Sequence, residues 1–98
     1  MKLIVAIVRP NVIDRLIVAF EDIEGFPGVT VMNTEGFGLR VRTPEDALNP
    51  FRPNRRLEIV SPNDKVESIV AAIKEHGHTG RKGDGFIIIL DIESSTLI

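Results

Sequence analysis

The chain of 98 residues repeats one order of elements on either side of a long irregular segment. Four runs rich in Val, Ile and Thr are typical of strands, at about residues 3–8, 29–37, 55–60 and 86–92. Apolar residues recur at helical spacing from 11 to about 24 and again after Ser61, where Ser61 as N-cap and Pro62 predict a helix start. This order predicts an α+β fold, a ferredoxin-like βαββαβ sandwich with an antiparallel four-stranded sheet and both helices on one face.

The first and last predicted strands are apolar at consecutive positions rather than at alternate ones. Such runs imply that both faces of the sheet are buried. Because the helices cover only one face, the other face must meet another subunit. The sequence therefore predicts a single domain, residues 1–98, that forms an oligomer with the sheets lining its interior.

The composition excludes several classes of protein. A hydrophobic content of 43% rules out a disordered chain, and a net charge of -2 without Trp or Tyr argues against nucleic-acid binding. The absence of cysteine excludes disulfides and thiolate zinc sites. The apolar N-terminal run is too short for membrane insertion and resembles no signal peptide, so a cytoplasmic location is expected.

A glycine-rich loop, His78-Thr79-Gly80-Arg81-Lys82-Gly83-Asp84-Gly85, lies between the second helix and the last strand. Three glycines in six positions suit a tight loop whose backbone N–H groups point into a common space. Such a loop can cradle a phosphate, with Arg81 and Lys82 adding positive charge. The same pattern also fits a plain structural turn, and the spacing alone leaves both interpretations open.

Taken in this order, the chain resembles the PII signalling family over most of its length. Residues 1–10 resemble the family's first strand and its proline. Residues 28–31 followed by 36–38 resemble the second strand and the entrance to the T-loop, and residues 57–60 resemble the strand that leaves it. Residues 79–85 match the B-loop pattern T-G-x-x-G-D-G in every fixed position.

The resemblance implies a cyclic homotrimer that regulates rather than catalyses. An adenine nucleotide would sit in each cleft between subunits, and a T-loop at about 38–54 would dock on a membrane transporter or an enzyme. The B-loop, at about 78–85, would meet the phosphates. Carried over by position, the ligand-binding residues are Thr30 and Val60 beside the adenine, Gly36, Gly38 and Arg40 at the T-loop base, and Thr79, Gly80, Arg81, Lys82, Gly83, Asp84 and Gly85 in the B-loop.

Several positions depart from the family pattern. The lysine that usually follows G-D-G is Phe86, the Arg and Gln after G-F-G are Leu39 and Arg40, and the lysine before the third strand is Asn54. The family's pair of C-terminal arginines has no counterpart in this sequence. The absence of each hydrogen bond from a charged side chain to a phosphate costs about 1.5–3 kcal/mol of binding free energy. AMP or ADP is therefore expected rather than ATP, and 2-oxoglutarate loses two of the side chains that hold it.

Two other functions stay open. His76 and His78 could bind Cu²⁺, Ni²⁺ or Zn²⁺, which would fit a PII-like protein linked to heavy-metal efflux or tolerance, although a solvated helix end is the simpler explanation of the pair. Arg9 and Asn11 are the residue types that acylphosphatases use, but that family's glycine motifs are missing. No cysteine nucleophile exists, and the carboxylates have structural uses: Asp84 is expected to cap its own loop, and Glu58 to pair with Arg56 or with an arginine of a neighbouring subunit. No enzyme activity is therefore expected.

Overall fold

The computed structural model describes residues 1–38, 44, 48–81 and 83–98. These residues form four strands, β1 (Lys2–Val8), β2 (Thr30–Gly36), β3 (Arg52–Ser61) and β4 (Phe86–Asp91), and two α-helices, α1 (Ile13–Glu21) and α2 (Val66–His76). A short 3₁₀ turn precedes each helix, at Pro10–Val12 and Asn63–Lys65. The predicted βαββαβ order is confirmed.

The strands form one antiparallel sheet in the order β2-β3-β1-β4. β1 lies in the middle, where it pairs Ile7 with Arg56 of β3 and with Phe86 of β4. Within the part of the chain that the structure describes, β2 pairs only with β3, from Thr30 opposite Glu58 to Gly36 opposite Arg52. This arrangement is the predicted ferredoxin-like sandwich, and it brings the ends of β1 and β2 close to the starts of β3 and β4.

The core lies between one face of the sheet and both helices. Alternate residues of β1 and β3 point into it because successive side chains of a strand face opposite sides. The apolar stripes of α1 and α2 complete it, as the helical spacing predicts. The buried residues of this cluster are Ile4, Ala6, Val8, Val12, Leu16, Phe20, Leu57, Ile59, Ile69 and Ile73. Full burial of one such aliphatic side chain contributes about 1.5–3 kcal/mol.

Neither α1 nor α2 covers the opposite face of the sheet. Val60, Phe86, Ile88 and Leu90 lie on it with 40–58% of their surface exposed. Val5 is buried on the same face because its strand neighbours surround it. The consecutive apolar positions of the sequence thus correspond to a core face and an apolar face that is open in the single chain.

Two predictions from the sequence are wrong in detail. Ser61 is not a helix N-cap: it ends β3, is fully buried, and its hydroxyl donates to the carbonyl oxygen of Pro62. β3 begins at Arg52 rather than Arg55, so the last residues of the predicted loop 38–54 belong to a strand. Pro53 is tolerated there because the pairing with β1 reaches only Arg55, which leaves Pro53 without a strand on one side.

Candidate functional site

A groove of about 550 Å³ lies where the ends of β1 and β2 and the start of β3 meet the glycine-rich loop. The β1 and β3 side chains reach it because the antiparallel register places them beside the start of β4. The turn after β2 forms its outer wall. The described residues that line it are Ile7, Arg9, Thr34, Glu35, Gly36, Phe37, Gly38, Asn54, Arg56, Gly83, Gly85 and Phe86.

The glycine-rich loop depends on backbone conformations that favour glycine. Gly80 and Gly83 have φ angles of +83° and +77°, and Gly85 has a φ of +149°. At Gly85 space is also limiting, because a Cβ atom there would lie 1.8 Å from the carbonyl oxygen of Ile7. The loop therefore approaches the end of β1 more closely than any side chain would allow.

Asp84 holds the loop together from within. Its carboxylate accepts hydrogen bonds from the backbone N–H and from the hydroxyl of Thr79. Burial raises the pKa of Asp84, but the bonds from Thr79, a bond from the backbone of Arg81 and the charge of Arg9 outweigh it, so this pKa lies below its ordinary value. The expectation that Asp84 caps its own loop is confirmed.

Arg9 fastens the far end of the loop to β1. Its guanidinium donates to the carbonyl oxygen of Gly83 at 2.8 Å, and its Nε lies 3.9 Å from a carboxylate oxygen of Asp84. The sequence reasoning did not give Arg9 this role. The register of the folded sheet explains it: β1 pairs Ile7 with Phe86, so two residues after Ile7 and two residues before Phe86 bring Arg9 opposite Asp84.

Aromatic and aliphatic side chains form much of the groove wall. Phe86 is 58% exposed beside Ile7, its partner in the β1–β4 pairing. Phe37 lies on the other side, with its ring 5.8 Å from that of Phe51. Phe51 is half exposed in this pair. The groove thus joins an apolar wall to a rim of glycine backbone.

The two arginines that line the groove have partners of opposite charge nearby. Arg56 donates to a carboxylate oxygen of Glu58 at 3.0 Å, which is one of the two pairings expected for Glu58. Arg9 is held by Gly83 and Asp84, and Glu35 adds a negative charge to the lining. Among the described residues, the groove is therefore close to electrically balanced.

The structure brings some of the predicted ligand residues together and separates others. Gly36, Gly38, Gly83 and Gly85 line the groove, and Thr79 with Asp84 supports it from behind. Gly80 and Arg81 belong to the same loop but do not line the groove. Arg40 and Lys82 lie outside the described residues.

Thr30 and Val60 are far from the groove within one chain. Thr30 begins β2, six residues before Gly36, which is about 20 Å along a strand. Val60 lies near the end of β3 opposite Leu3, and both Thr30 and Val60 are exposed on the sheet face that the helices leave open. A contact with a ligand in the groove would have to come from another subunit, so their role stays a prediction.

The two histidines end α2 and begin the glycine-rich loop. The imidazole Nε2 of His76 lies 3.7 Å from the carboxylate of Glu75. Within residues 1–38, 44, 48–81 and 83–98, no three His, Asp or Glu side chains are grouped closely enough to hold a metal ion. In the same part of the chain, neither helix has the length and apolar character needed to cross a bilayer.

Comparisons with known proteins agree with this architecture. The family model described as Nitrogen regulatory protein P-II matches residues 1–98. A Nitrogen regulatory protein P-II of Bradyrhizobium diazoefficiens is 35% identical over 103 residues, covering 100% of this chain and 91% of that protein. One from Azospirillum brasilense is 34% identical, over 95% of this chain and 87% of its own length. Nitrogen regulatory protein P-II 1 of Escherichia coli is also 34% identical, over 94% and 86%.

Proposed function

The chain belongs to the P-II family of nitrogen regulatory proteins, and from that premise we propose that it is a signalling trimer that senses AMP or ADP and controls a transporter or an enzyme. Membership in this family confirms that the protein is regulatory and is not an enzyme. The nucleotide would bind in the clefts between subunits, and the loop between β2 and β3 would carry the signal.

The observation that carries this proposal is the meeting of two glycine pairs across one groove. Gly83 and Gly85 border it on the loop side, and Gly36 with Gly38 borders it after β2. Backbone N–H groups of such a loop can bind phosphate oxygens without a side chain in the way. The groove is also continuous with the base of the predicted T-loop, so a bound ligand would act directly on that loop.

A trimer accounts for the parts of the proposed site that one chain does not bring together. The uncovered sheet face carries Val60, Ile88 and Leu90, and burial of this face against another copy would remove them from water. The same contact would allow Thr30 and Val60 of one subunit to approach the groove of its neighbour. The open groove of a single chain would then become an enclosed pocket.

The charge balance of the groove favours a ligand with few phosphates. Among the described residues that line it, the cations Arg9 and Arg56 already bind protein oxygens, and Glu35 opposes a further negative charge. Phe86, which directly follows the glycine-rich loop, supplies an apolar surface rather than a charge. AMP has the fewest phosphate charges and needs the fewest cationic partners in such a groove, and ADP needs more. The triphosphate of ATP would need cations that these contacts already occupy.

Calorimetric titration with AMP, ADP and ATP tests the ligand directly. We expect AMP and ADP to bind and ATP to bind at least tenfold more weakly. Gly83→Asp should abolish binding because it brings a negative charge to the glycine-rich loop that would meet the phosphates. Gly83→Asn is the matched control, because asparagine has the same size as aspartate and is equally suited to positive φ. Sub-micromolar ATP affinity, or equal loss of binding in both variants, would overturn the proposal.

The loop between β2 and β3 is the proposed docking element. Phe51 and Leu48 expose apolar surface there, as partner-binding residues commonly do. A variant in which a Gly-Ser linker replaces residues 41–48 should remain trimeric, because β1, β2, β3 and β4 all lie outside the replaced segment, and should lose nucleotide-dependent partner binding. Loss of the trimer in this variant would show that the segment is structural instead.

A further inference from the structure

Arg15 joins α1 to the point where the glycine-rich loop begins. Its Nε donates to the carbonyl oxygen of His76 at 2.5 Å, and its Nη2 donates to the carbonyl oxygen of His78. His76 is the last residue of α2, and His78 is the first residue of the loop. The last carbonyls of a helix have no partner within the helix, so one guanidinium satisfies two groups at this junction.

The chain between these two carbonyls is tightly confined. The N–H of Gly77 donates to the carbonyl oxygen of Ile73 at 2.7 Å, and a Cβ atom at Gly77 would lie 2.4 Å from that oxygen. Two residues after Gly77, the backbone N–H of Thr79 donates to the carboxylate of Asp84. The junction thus passes directly from the helix end to the internal bonds of the loop, with Arg15 fixing the direction in which the chain leaves.

Arg15 has a counterpart at the other end of the loop. Arg9 holds the carbonyl oxygen of Gly83, and Arg15 holds that of His78. Arg9 immediately follows β1, and Arg15 lies in the first turn of α1, six residues later. The segment from Arg9 to Arg15 therefore binds the loop at its beginning and near its end. Of these two arginines, only Arg9 lines the groove.

We propose that Arg15 is a positioning residue: it does not touch the ligand but holds the entrance of the glycine-rich loop so that the loop amides are arranged before the ligand arrives. The packing of α1 against α2 does not depend on it, since Leu16, Phe20, Ile69 and Ile73 bury that contact and Arg15 is exposed. Loss of Arg15 should accordingly loosen the loop while the core keeps its stability. The effect on the ligand rests on the proposed function, but the effect on the loop does not.

Amide hydrogen exchange on the purified protein tests the loop. In Arg15→Met, which keeps the aliphatic stem, the amide of Thr79 should exchange about tenfold faster, because two hydrogen bonds from a charged donor are removed. Core amides of β1 should be unaffected. In Arg15→Lys the acceleration should be smaller, about threefold, because an ammonium keeps the charge but lacks the planar fork. Lys74→Met, which removes a positive charge from the same last turn of α2, should leave Thr79 unchanged.

Three results would overturn this role for Arg15. Thr79 could exchange at the wild-type rate in Arg15→Met, it could change only in step with the core amides, or Lys74→Met could have the same effect. AMP titration then separates this inference from the proposed function. Wild-type binding that weakens about tenfold in Arg15→Met supports both. If the wild type binds no AMP while Thr79 still exchanges faster in Arg15→Met, the positioning role stands and the proposed ligand is wrong.

Discussion

Replacement of Gly85 by alanine tests the reason for the last glycine of the loop. The new Cβ would lie 1.8 Å from the carbonyl oxygen of Ile7 and 2.8 Å from its carbonyl carbon. Carbon and oxygen normally approach no closer than about 3.3 Å, so the loop or the end of β1 must move. Both colliding atoms belong to the backbone, and a change of rotamer cannot relieve the overlap.

The expected loss of stability combines two costs. Strain at a φ of +149° costs about 1–3 kcal/mol for a residue with a side chain. Forcing a group into filled space costs about 1–3 kcal/mol more. The free energy of unfolding should therefore fall by about 4 kcal/mol. Displacement of Ile7 would also disturb its pairing with Phe86 and thereby the groove.

Gly80→Ala is the matched control for this experiment. Gly80 has a φ of +83°, but no atom of the described residues lies within 4 Å of the position that its Cβ would take. This variant should lose only about 1–2 kcal/mol, the cost of the left-handed conformation. Urea denaturation of both variants at one protein concentration measures the difference, since assembly makes stability depend on concentration. Equal stability of the two variants would refute the steric explanation.

Three further predictions concern the groove, the loop and the core. Phe86→Lys should strengthen ATP binding about tenfold or more in calorimetry by adding a cation beside the cradle, whereas Phe86→Met should not. The folded-state pKa of Asp84 lies below its unfolded value of about 3.9. The stability that ionised Asp84 contributes is therefore complete above that pH and is lost as the pH falls through the folded pKa. In acid denaturation, Asp84→Asn should lack this pH-dependent loss of stability. Leu16→Ala should cost about 3 kcal/mol in urea denaturation, because Leu16 is fully buried.

Periodic patterns predicted the architecture well. The β-branched run of β1 and the helical stripe through Leu16 and Phe20 both report which side chains face the core, and burial of that core dominates folding. Boundaries were predicted less well because they depend on local competition. Ser61 fits a helix start by residue type, but its pairing with Lys2 extends β3 and removes it from the helix.

The candidate site could be predicted only where a local sequence motif indicates it. The pattern from Thr79 to Gly85 indicated the loop and the capping role of Asp84, since glycines and a short carboxylate have few other uses at that spacing. The roles of Arg9 and Arg15 were not predictable because each acts on a backbone carbonyl more than sixty residues away. Contacts of that kind are a property of the folded chain and leave no local pattern in the sequence.

Native mass spectrometry of the purified protein with AMP tests the central claim most directly, because it counts chains and ligands in one spectrum. The account predicts an assembly of three chains that takes up to three AMP molecules, with Gly83→Asp assembled equally but free of nucleotide. A monomer, or a trimer that takes up no AMP under conditions where ATP binds, would contradict it.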